Sequence, residues 1–214
     1  MDRAAAGVPP LLADPLARAR ELVSRAPTRV LLGISGAPGA GKSTLAQRLA
    51  EQVDGSVVVP MDGFHLADVE LDRLGLRDRK GAPETFDAYG YAALLRRLRE
   101  ETAHNVLAPA FERDLEQPLA GAIPVPPTAR LVITEGNYLL LDRPEWRAAR
   151  ERLDEVWHLG VDDELRVTRL VERHVRFGKS REAARDWVER VDEPNARLVE
   201  AAAAGADFWV PTPG

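Results

Sequence analysis

A glycine-rich octapeptide is the feature of this 214-residue chain that most directly suggests chemistry. Residues 36–43, GAPGAGKS, match G-x-x-x-x-G-K-[ST], a pattern whose backbone curls so that its N–H groups point at a phosphate. An apolar, strand-like run precedes it and an amphipathic helical pattern follows it, which is the context that such a P-loop needs. The octapeptide predicts binding of a nucleoside triphosphate with Mg²⁺. The predicted nucleotide-binding residues are Gly36, Ala37, Pro38, Gly39, Ala40, Gly41, Lys42, Ser43 and Thr44.

Three side chains of this segment have separate expected roles. Lys42 would bring a cation to the β- and γ-phosphates, Ser43 a hydroxyl to Mg²⁺, and Thr44 a contact to the α-phosphate. A glycine-rich turn without a nucleotide is the alternative, and the flanking strand and helix patterns argue against it. The Asn-Lys-x-Asp stretch of GTPases and the Leu-Ser-Gly-Gly signature of transport ATPases do not occur, which favours a kinase.

Two carboxylates follow apolar runs in the manner of catalytic acids. Asp62 comes after residues 56–60 and could accept the proton of a substrate hydroxyl. Glu135 comes after residues 130–134 and could hold Mg²⁺ directly or through water. The alternative for each is an acid that stabilises a turn before the glycine that follows it.

A run of arginines repeats at helical spacing near the carboxyl end. Arg166, Arg169, Arg173 and Arg176 are three, four and three positions apart, so they would share one face of a helix over residues 163–176. We expect a lid here, with Arg169 and Arg173 as catalytic cations that neutralise charge developing on the phosphates. A solvated helix face is the alternative.

Aromatic and charged residues outside the regular elements indicate a substrate site. His65, Phe86 and Arg113 lie between the two carboxylates, and Tyr138 closely follows the second of them. Loops that mix these residue types often bind a small polar molecule, so these four residues are the predicted substrate contacts. The alternative is that the aromatic residues belong to the core and that Arg113 forms a surface ion pair.

Strand-like and helical patterns alternate along the chain, which predicts an α/β protein with a parallel sheet covered on both faces. Such a sheet binds ligands beyond the carboxyl ends of its strands, where the P-loop and both carboxylates would meet. The predicted strands are residues 29–35, 56–60, 106–111, 130–134, 155–161 and 208–210. The predicted helices are residues 14–23, 44–53, 86–101, 163–176, 181–191 and 195–204. Residues 1–13 are expected to fray, and residues 115–128 to form a loop or hairpin.

Composition excludes several classes of function. Hydrophobic residues make up 45% of the chain and charged residues 29%, as in ordinary globular proteins, and there is no cysteine for disulfides or thiolate chemistry. The formal charge of −5 disfavours binding to nucleic acid or to an anionic membrane. No membrane-spanning run or secretory signal is visible, so we expect one cytoplasmic domain over residues 1–214.

Four motifs around these residues resemble one known family. MDGFHL at 61–66, KGAPETFD at 80–87, PAFERD at 109–114 and ITEGNYLL at 133–140 are similar to motifs of the uridine kinase, pantothenate kinase and phosphoribulokinase family of P-loop kinases. Within it, the chain most resembles a bacterial branch described as nucleoside/nucleotide kinase-like or as fructose-transport-system kinases. Where the third motif of the family has Asp, this chain has Glu112.

The resemblance implies a three-layer P-loop NTPase fold with a five-stranded parallel sheet and a helical lid at about residues 163–192. It also implies that Asp62 is the catalytic base, that Glu135 is the acidic partner of Mg²⁺, and that the lid helix carries Arg169 and Arg173. Residues 83–87 would border the acceptor site. The expected activity is ATP-dependent phosphorylation of a small-molecule alcohol.

The acceptor and the assembly stay open at this level. A nucleoside, a pantothenate-like compound and a sugar are all candidate acceptors, and a homodimer is one expected assembly. One alternative activity is a nucleotide or dephospho-coenzyme kinase with a phosphate acceptor. An alternative of another class is an ATP-gated regulatory module of a sugar transport system, which would not need a base at Asp62.

Overall fold

A five-stranded parallel sheet forms the centre of the structure, a computed structural model that describes residues 8–212. The strands in this part of the chain are β1 Val30–Ser35, β2 Ser56–Val58, β3 Val106–Glu112, β4 Gln117–Val125, β5 Leu131–Gly136, β6 Glu155–Gly160 and β7 Phe208–Pro211. Five of them follow the order β2-β5-β1-β6-β7, all parallel, while β3 and β4 form a separate antiparallel hairpin. The predicted parallel sheet is confirmed, and segment 115–128 proves to contain the second strand of a hairpin.

Helices connect the strands and cover the sheet. They are α1 Pro15–Arg25, α2 Lys42–Gln52, α3 Asp68–Leu74, α4 Ala88–Glu100, α5 Pro144–Arg150, α6 Asp163–Arg176, α7 Arg181–Trp187 and α8 Glu193–Ala202. The sequence reasoning missed α3 and α5, which have seven residues each and are too short to show a clear helical period. Between residues 8 and 212, no helix is long and apolar enough to cross a bilayer.

Side-chain carboxylates fix where several helices begin. Asp14 accepts a hydrogen bond from the N–H of Ala17 at 2.9 Å, and Asp162 accepts one from the N–H of Leu165 at 3.0 Å. These caps satisfy backbone donors that the first helical turn leaves unpaired. The start of α6 is therefore set by local sequence, which matters because this helix carries the arginines.

Alternation along the central strands produces the three layers. In β1, Leu31 packs in a cluster with residues of α4 and α5, whereas Leu32 and Ile34 pack in a cluster with residues of α1 and α2. All three side chains are fully buried. Successive residues of a strand point to opposite faces, so an uninterrupted apolar run such as β1 is stable only where helices cover both sides.

The amino-terminal segment differs from expectation. Residues 1–7 lie outside the described part of the chain, but residues 8–13 are not frayed. The N–H of Leu12 donates to the carbonyl of Trp209 at 2.7 Å, and the N–H of Trp209 donates to the carbonyl of Pro10 at 2.9 Å. Strand β7 lies at the sheet edge, so its outer backbone groups need partners, and this segment supplies them.

A buried arginine joins the sheet to the layer above it. Arg29, 4% exposed, precedes β1 and donates to the carbonyls of Leu98 at 2.7 Å, Pro126 at 2.8 Å and Ala129 at 3.0 Å. Burial lowers the pKa of its guanidinium. Two carbonyls of the β4–β5 connection and one in the last turn of α4 depend on this side chain, which makes it a structural rather than a catalytic cation.

Arg29→Met should lower the free energy of unfolding by about 1–3 kcal/mol, because buried carbonyls would lose their donors. Urea unfolding followed by circular dichroism measures this loss. Arg96→Met, on the exposed face of α4, is the matched control and should change stability by less than about 0.5 kcal/mol. Equal stability of the two variants would contradict the structural role of Arg29.

Candidate active site

The predicted functional residues meet at the carboxyl ends of three neighbouring strands. The P-loop follows β1, and Glu135 is the penultimate residue of β5. Asp62 lies in a short 3₁₀ turn, Met61–Phe64, just after β2. Strand β5 is hydrogen-bonded between β1 and β2, so these segments are adjacent in space. This is where ligands bind in an open parallel sheet.

Two glycines of the P-loop are required by its backbone. Gly39 has φ 82° and Gly41 has φ 99°, values that residues with a Cβ adopt at a cost. A Cβ on Gly39 would also lie 2.9 Å from Cγ of Leu170 and 3.0 Å from the carbonyl oxygen of Arg166. The loop turn thus lies directly against α6, and α2 begins immediately after it at Lys42.

Lys42 is a buried cation rather than an exposed loop residue. It is 8% exposed, and its Nζ donates to Oδ1 of Asn137 at 2.7 Å and to the carbonyl of Ala37 at 3.1 Å. Desolvation lowers the pKa of this ammonium, an effect that the charges of Glu135 and Asp62 partly oppose. Sequence reasoning missed Asn137 as a functional residue, although its place two residues after Glu135 gave the signal.

Glu135 and Ser43 form the candidate magnesium site. Oγ of Ser43 donates to Oε1 of Glu135 at 2.7 Å, and Glu135 is 6% exposed. Burial, and then the neighbouring charge of Asp62, raise the pKa of the Glu135 carboxyl. Hydroxyl and carboxylate oxygens are ligands that Mg²⁺ prefers. Within residues 8–212 no group of three or more His, Cys, Asp or Glu could hold a metal by itself.

Asp62 and His65 border the same cavity from the short turn after β2. Oδ2 of Asp62 lies 3.3 Å from Nη2 of Arg113, and Nδ1 of His65 lies 2.8 Å from the Asp62 carbonyl oxygen. The imidazole packs between the rings of Phe86 and Phe111 at tilted angles, with centroids 4.0 and 4.7 Å away. Burial lowers the pKa of His65, which favours the neutral ring, and a neutral ring whose Nδ1 faces a carbonyl oxygen donates from that nitrogen.

One cavity of about 640 Å³ joins most of these groups. It is lined by Lys42, Ser43, Glu135, Asp62 and Arg173. The predicted substrate residues His65, Phe86 and Arg113 line it as well. Further lining residues that sequence reasoning did not assign to the site are Asn137, His174, Trp187, Asp192 and Asn195. Both carboxylates, Lys42, Arg173 and part of the P-loop therefore border one cavity.

The wall opposite the P-loop comes from a rare helical irregularity. A π-helical turn, Val188–Asp192, separates α7 from α8, and such turns often occur at functional sites. Asp192 is 7% exposed and lies 2.8 Å from Nε2 of His174. His174 and Asp192 both line the cavity.

Tyr138 lies outside the cavity, contrary to the expected substrate contact. Its side chain is fully buried, and its hydroxyl donates to the carbonyl of Gly81. Its ring packs against Phe86 and Trp146, with centroids 5.6 and 5.4 Å away. Burial raises the pKa of the phenol well above its usual value. Tyr138 thus supports the loop at residues 80–87 from behind.

The arginine run of α6 is divided among three environments. Arg173 lines the cavity just described, whereas Arg169 lines a second cavity of about 810 Å³ with Gly41, Thr44 and Arg48. Arg166 shares this helix face but is buried, 2% exposed, and lines neither cavity. The second cavity adjoins the end of the P-loop at Gly41 and Thr44.

Comparison with known proteins identifies relatives along most of the chain. A sequence profile described as "Phosphoribulokinase / Uridine kinase family" matches residues 31–213. A Schizosaccharomyces pombe protein named "Putative uridine kinase" is 38% identical over 184 residues, which are 80% of this chain and 78% of that protein. The Escherichia coli protein YggC, named as uncharacterized, is 36% identical over 177 residues, 80% of this chain and 73% of its own.

Solved structures show the same architecture. A "putative fructose transport system kinase" from Silicibacter sp. TM1040 has a TM-score of 0.83 and 40% identity, over 94% of this chain and 100% of that chain. The protein YFH7 from Saccharomyces cerevisiae, described as a putative P-loop kinase, has a TM-score of 0.78 and 18% identity, over 93% of this chain and 99% of that chain. The latter similarity concerns the fold alone.

Glu135→Gln should make the protein without nucleotide more stable at pH 7. The Glu135 pKa is raised in the folded state. At pH values between the usual pKa of a glutamate and this raised pKa, the folded state therefore binds more protons than the unfolded state. Stability therefore falls as pH rises through that window, and a neutral amide removes this loss. Urea unfolding at several pH values measures the difference.

Glu151→Gln, an exposed carboxylate, is the control for this experiment and should keep the wild-type pH dependence. A Glu135→Gln variant that is less stable than wild type at pH 7 would contradict the direction of the pKa shift.

Proposed function

The chain belongs to the phosphoribulokinase / uridine kinase family, and we propose that it is an ATP- and Mg²⁺-dependent kinase that phosphorylates a hydroxyl of a small molecule. The observation that carries this proposal is the single cavity on which Asp62, Lys42 and Arg173 converge. Phosphoryl transfer needs positioned cations for the phosphates and a carboxylate facing the attacking hydroxyl. A module that only senses ATP needs no such carboxylate.

On the donor side, the chain supplies a phosphate cradle. The loop amides and the positive end of α2 attract the phosphates, and Lys42 reaches them from a position fixed by Asn137 and Ala37. Thr44 and Arg169 extend the site toward the nucleoside. Ser43 and Glu135 would hold Mg²⁺, which when bound neutralises phosphate charge.

On the acceptor side, Asp62 accepts the proton of the attacking hydroxyl. The hydroxyl oxygen forms a bond to the γ-phosphorus, the bond from that phosphorus to the bridging oxygen breaks, and ADP leaves. Arg113, 3.3 Å from Asp62, keeps the carboxylate oriented. Arg173 faces the same cavity and stabilises the charge on the transferring group.

Helices α6 and α7 with the π turn form the proposed lid within a single kinase domain. They close the cavity on the side opposite the sheet and contribute His174, Lys179, Trp187 and Asp192 to it. A wall of this kind excludes water, which would otherwise compete with the acceptor for the γ-phosphate.

A screen for acceptor-dependent ADP release tests the proposed function. The names of two relatives point to a nucleoside and to a sugar, so uridine, fructose and pantothenate are the first acceptors, with nucleoside monophosphates as the alternative class. We expect one of these to raise ADP release above the rate with ATP alone. Lys42→Ala, which removes the buried cation, should abolish that increase.

Wild-type turnover by Lys42→Ala would contradict the P-loop assignment. Tight ATP binding without a response to any alcohol would instead favour the regulatory-module alternative.

Asp62→Asn should lower kcat by about 10²–10⁴-fold, because the amide keeps the shape but cannot accept the proton. ATP affinity should change little, since the loop and Lys42 supply the phosphate contacts. Added Mg²⁺ should not restore the rate, whereas it would if Asp62 mainly held the metal. Steady-state kinetics and calorimetric titration of ATP measure the two effects.

Asp54→Asn is the matched control, since Asp54 also precedes a glycine but is exposed. It should retain wild-type kcat. Retention of more than about a third of kcat by Asp62→Asn would remove this residue from the mechanism, because a general base contributes far more.

Arg173→Ala and Arg169→Ala should affect different kinetic constants, because the two side chains line different cavities. We expect Arg173→Ala mainly to lower kcat, and Arg169→Ala mainly to raise KM for ATP. Initial rates at varied ATP separate the two. The same changes in kcat and KM in both variants would contradict different roles for Arg169 and Arg173.

A further inference from the structure

Arg166 is a buried charged residue to which the proposed reaction assigns no role. It is 2% exposed, and it lies one helical turn before Arg169 and two turns before Arg173 on α6. Its Nε donates to Oδ1 of Asp163 at 3.0 Å, and its Nη2 donates to Glu193 at the start of α8. Nη1 is buried and has no hydrogen-bond partner within residues 8–212.

The backbone and stem of Arg166 lie against the P-loop. A Cβ placed on Gly39 would be 3.0 Å from the Arg166 carbonyl oxygen and 3.2 Å from its Cγ. The next turn of α6 makes a similar approach, since Cγ of Leu170 would be 2.9 Å from that Cβ. The first two turns of α6 are therefore held between the P-loop on one side and α8 on the other.

This arrangement determines the rotation of α6 about its own axis. A guanidinium that binds two carboxylates in a planar fork accepts a narrow range of orientations. Residues advance by about 100° each along a helix, so Arg173 lies about 20° from the line through Arg166, and Arg169 lies about 60° from it. The Arg166 pairs thus set the direction in which both downstream arginines leave the helix.

Stability alone does not account for a buried arginine here. Replacing a buried ion pair with apolar residues is often neutral or stabilising, so such pairs are weak evidence for stability. Arg166 keeps one unsatisfied nitrogen and lies against the phosphate-binding loop. These two features indicate that its role is to orient helix α6.

We infer that Arg166 is a positioning residue, which pairs with Glu193 and Asp163 to hold α6 against Gly39 and to aim Arg169 at the nucleotide before ATP binds. The first half of the proposed lid is then a fixed wall, and closure involves the segments beyond it. This inference rests on the proposed function, in which Arg169 contacts ATP.

A double-mutant cycle on ATP affinity tests this inference without requiring an acceptor. Calorimetric titration of Mg-ATP is carried out on the full chain for Arg166→Met, Arg169→Ala and the double variant. We expect Arg166→Met to weaken ATP binding about tenfold by itself and less than about twofold in the Arg169→Ala background, because coupled residues are not additive. Arg176→Met, on the same helix but exposed, is the control and should keep wild-type affinity.

The conservative variants sharpen the result. Arg166→Lys keeps the charge without the fork and should recover only part of the affinity, whereas a purely structural role would be restored by a residue of similar volume and charge. Glu193→Gln leaves Arg166 in place and should show the same coupling to Arg169→Ala. It replaces Arg166→Met in the cycle if that variant does not fold.

Several outcomes would overturn the inference: an equal loss of affinity in both backgrounds, no effect of Arg169→Ala on affinity, or a lower thermal midpoint with unchanged ATP binding. Failure of the proposed function itself has a different signature. There, Lys42→Ala would bind ATP as tightly as the wild-type protein does.

Discussion

Charge burial at the end of the parallel sheet is the constraint on which the other features of this protein depend. Lys42, Glu135 and Asp62 come from three different segments. Burial lowers the pKa of Lys42 and raises that of Glu135, so it favours the neutral form of each. Such groups are costly to hold in a dry site unless they face one another or a ligand of complementary charge. The protein accepts this cost where Mg²⁺ and phosphates would bind, and the cation fixed by Asn137 is ready for them before they arrive.

The helices and the hairpin can be understood as walls around that cluster. The close approach of α6 to Gly39 places Arg169 and Arg173 on either side of the P-loop, toward two cavities. The β3–β4 hairpin brings Arg113 to Asp62, and its Phe111 stacks on His65. Donor and acceptor sites therefore share the phosphate-binding segment, as a direct transfer between them requires.

The two sides of the site differ in how they are built. The phosphate-binding loop of the proposed donor side lies in one continuous stretch of chain, the strand, loop and helix that include residues 30–52. The proposed acceptor side is assembled from a 3₁₀ turn, a hairpin and a π turn that are far apart in sequence. Variation in these separate pieces can alter the acceptor without disturbing the phosphate cradle. The names of two relatives refer to a nucleoside and to a sugar transport system.

Local sequence was sufficient for the longer elements and for the phosphate-binding loop, because strand and helix periods, turn glycines and the P-loop are properties of neighbouring residues. The α/β class, the parallel sheet and the location of Asp62 and Glu135 at strand ends could be predicted in this way. Tertiary structure alone decided which side chains are buried and which of them meet. Lys42 is desolvated in the folded protein, and Tyr138 lies behind the cavity. Arg166 is buried whereas Arg169 and Arg173 line cavities, although all three share one helical period. The physical reason is that the burial and pairing of a helical side chain depend on what packs against the helix. For Arg166 these contacts come from Gly39 and Glu193, which are 127 and 27 positions away in the sequence.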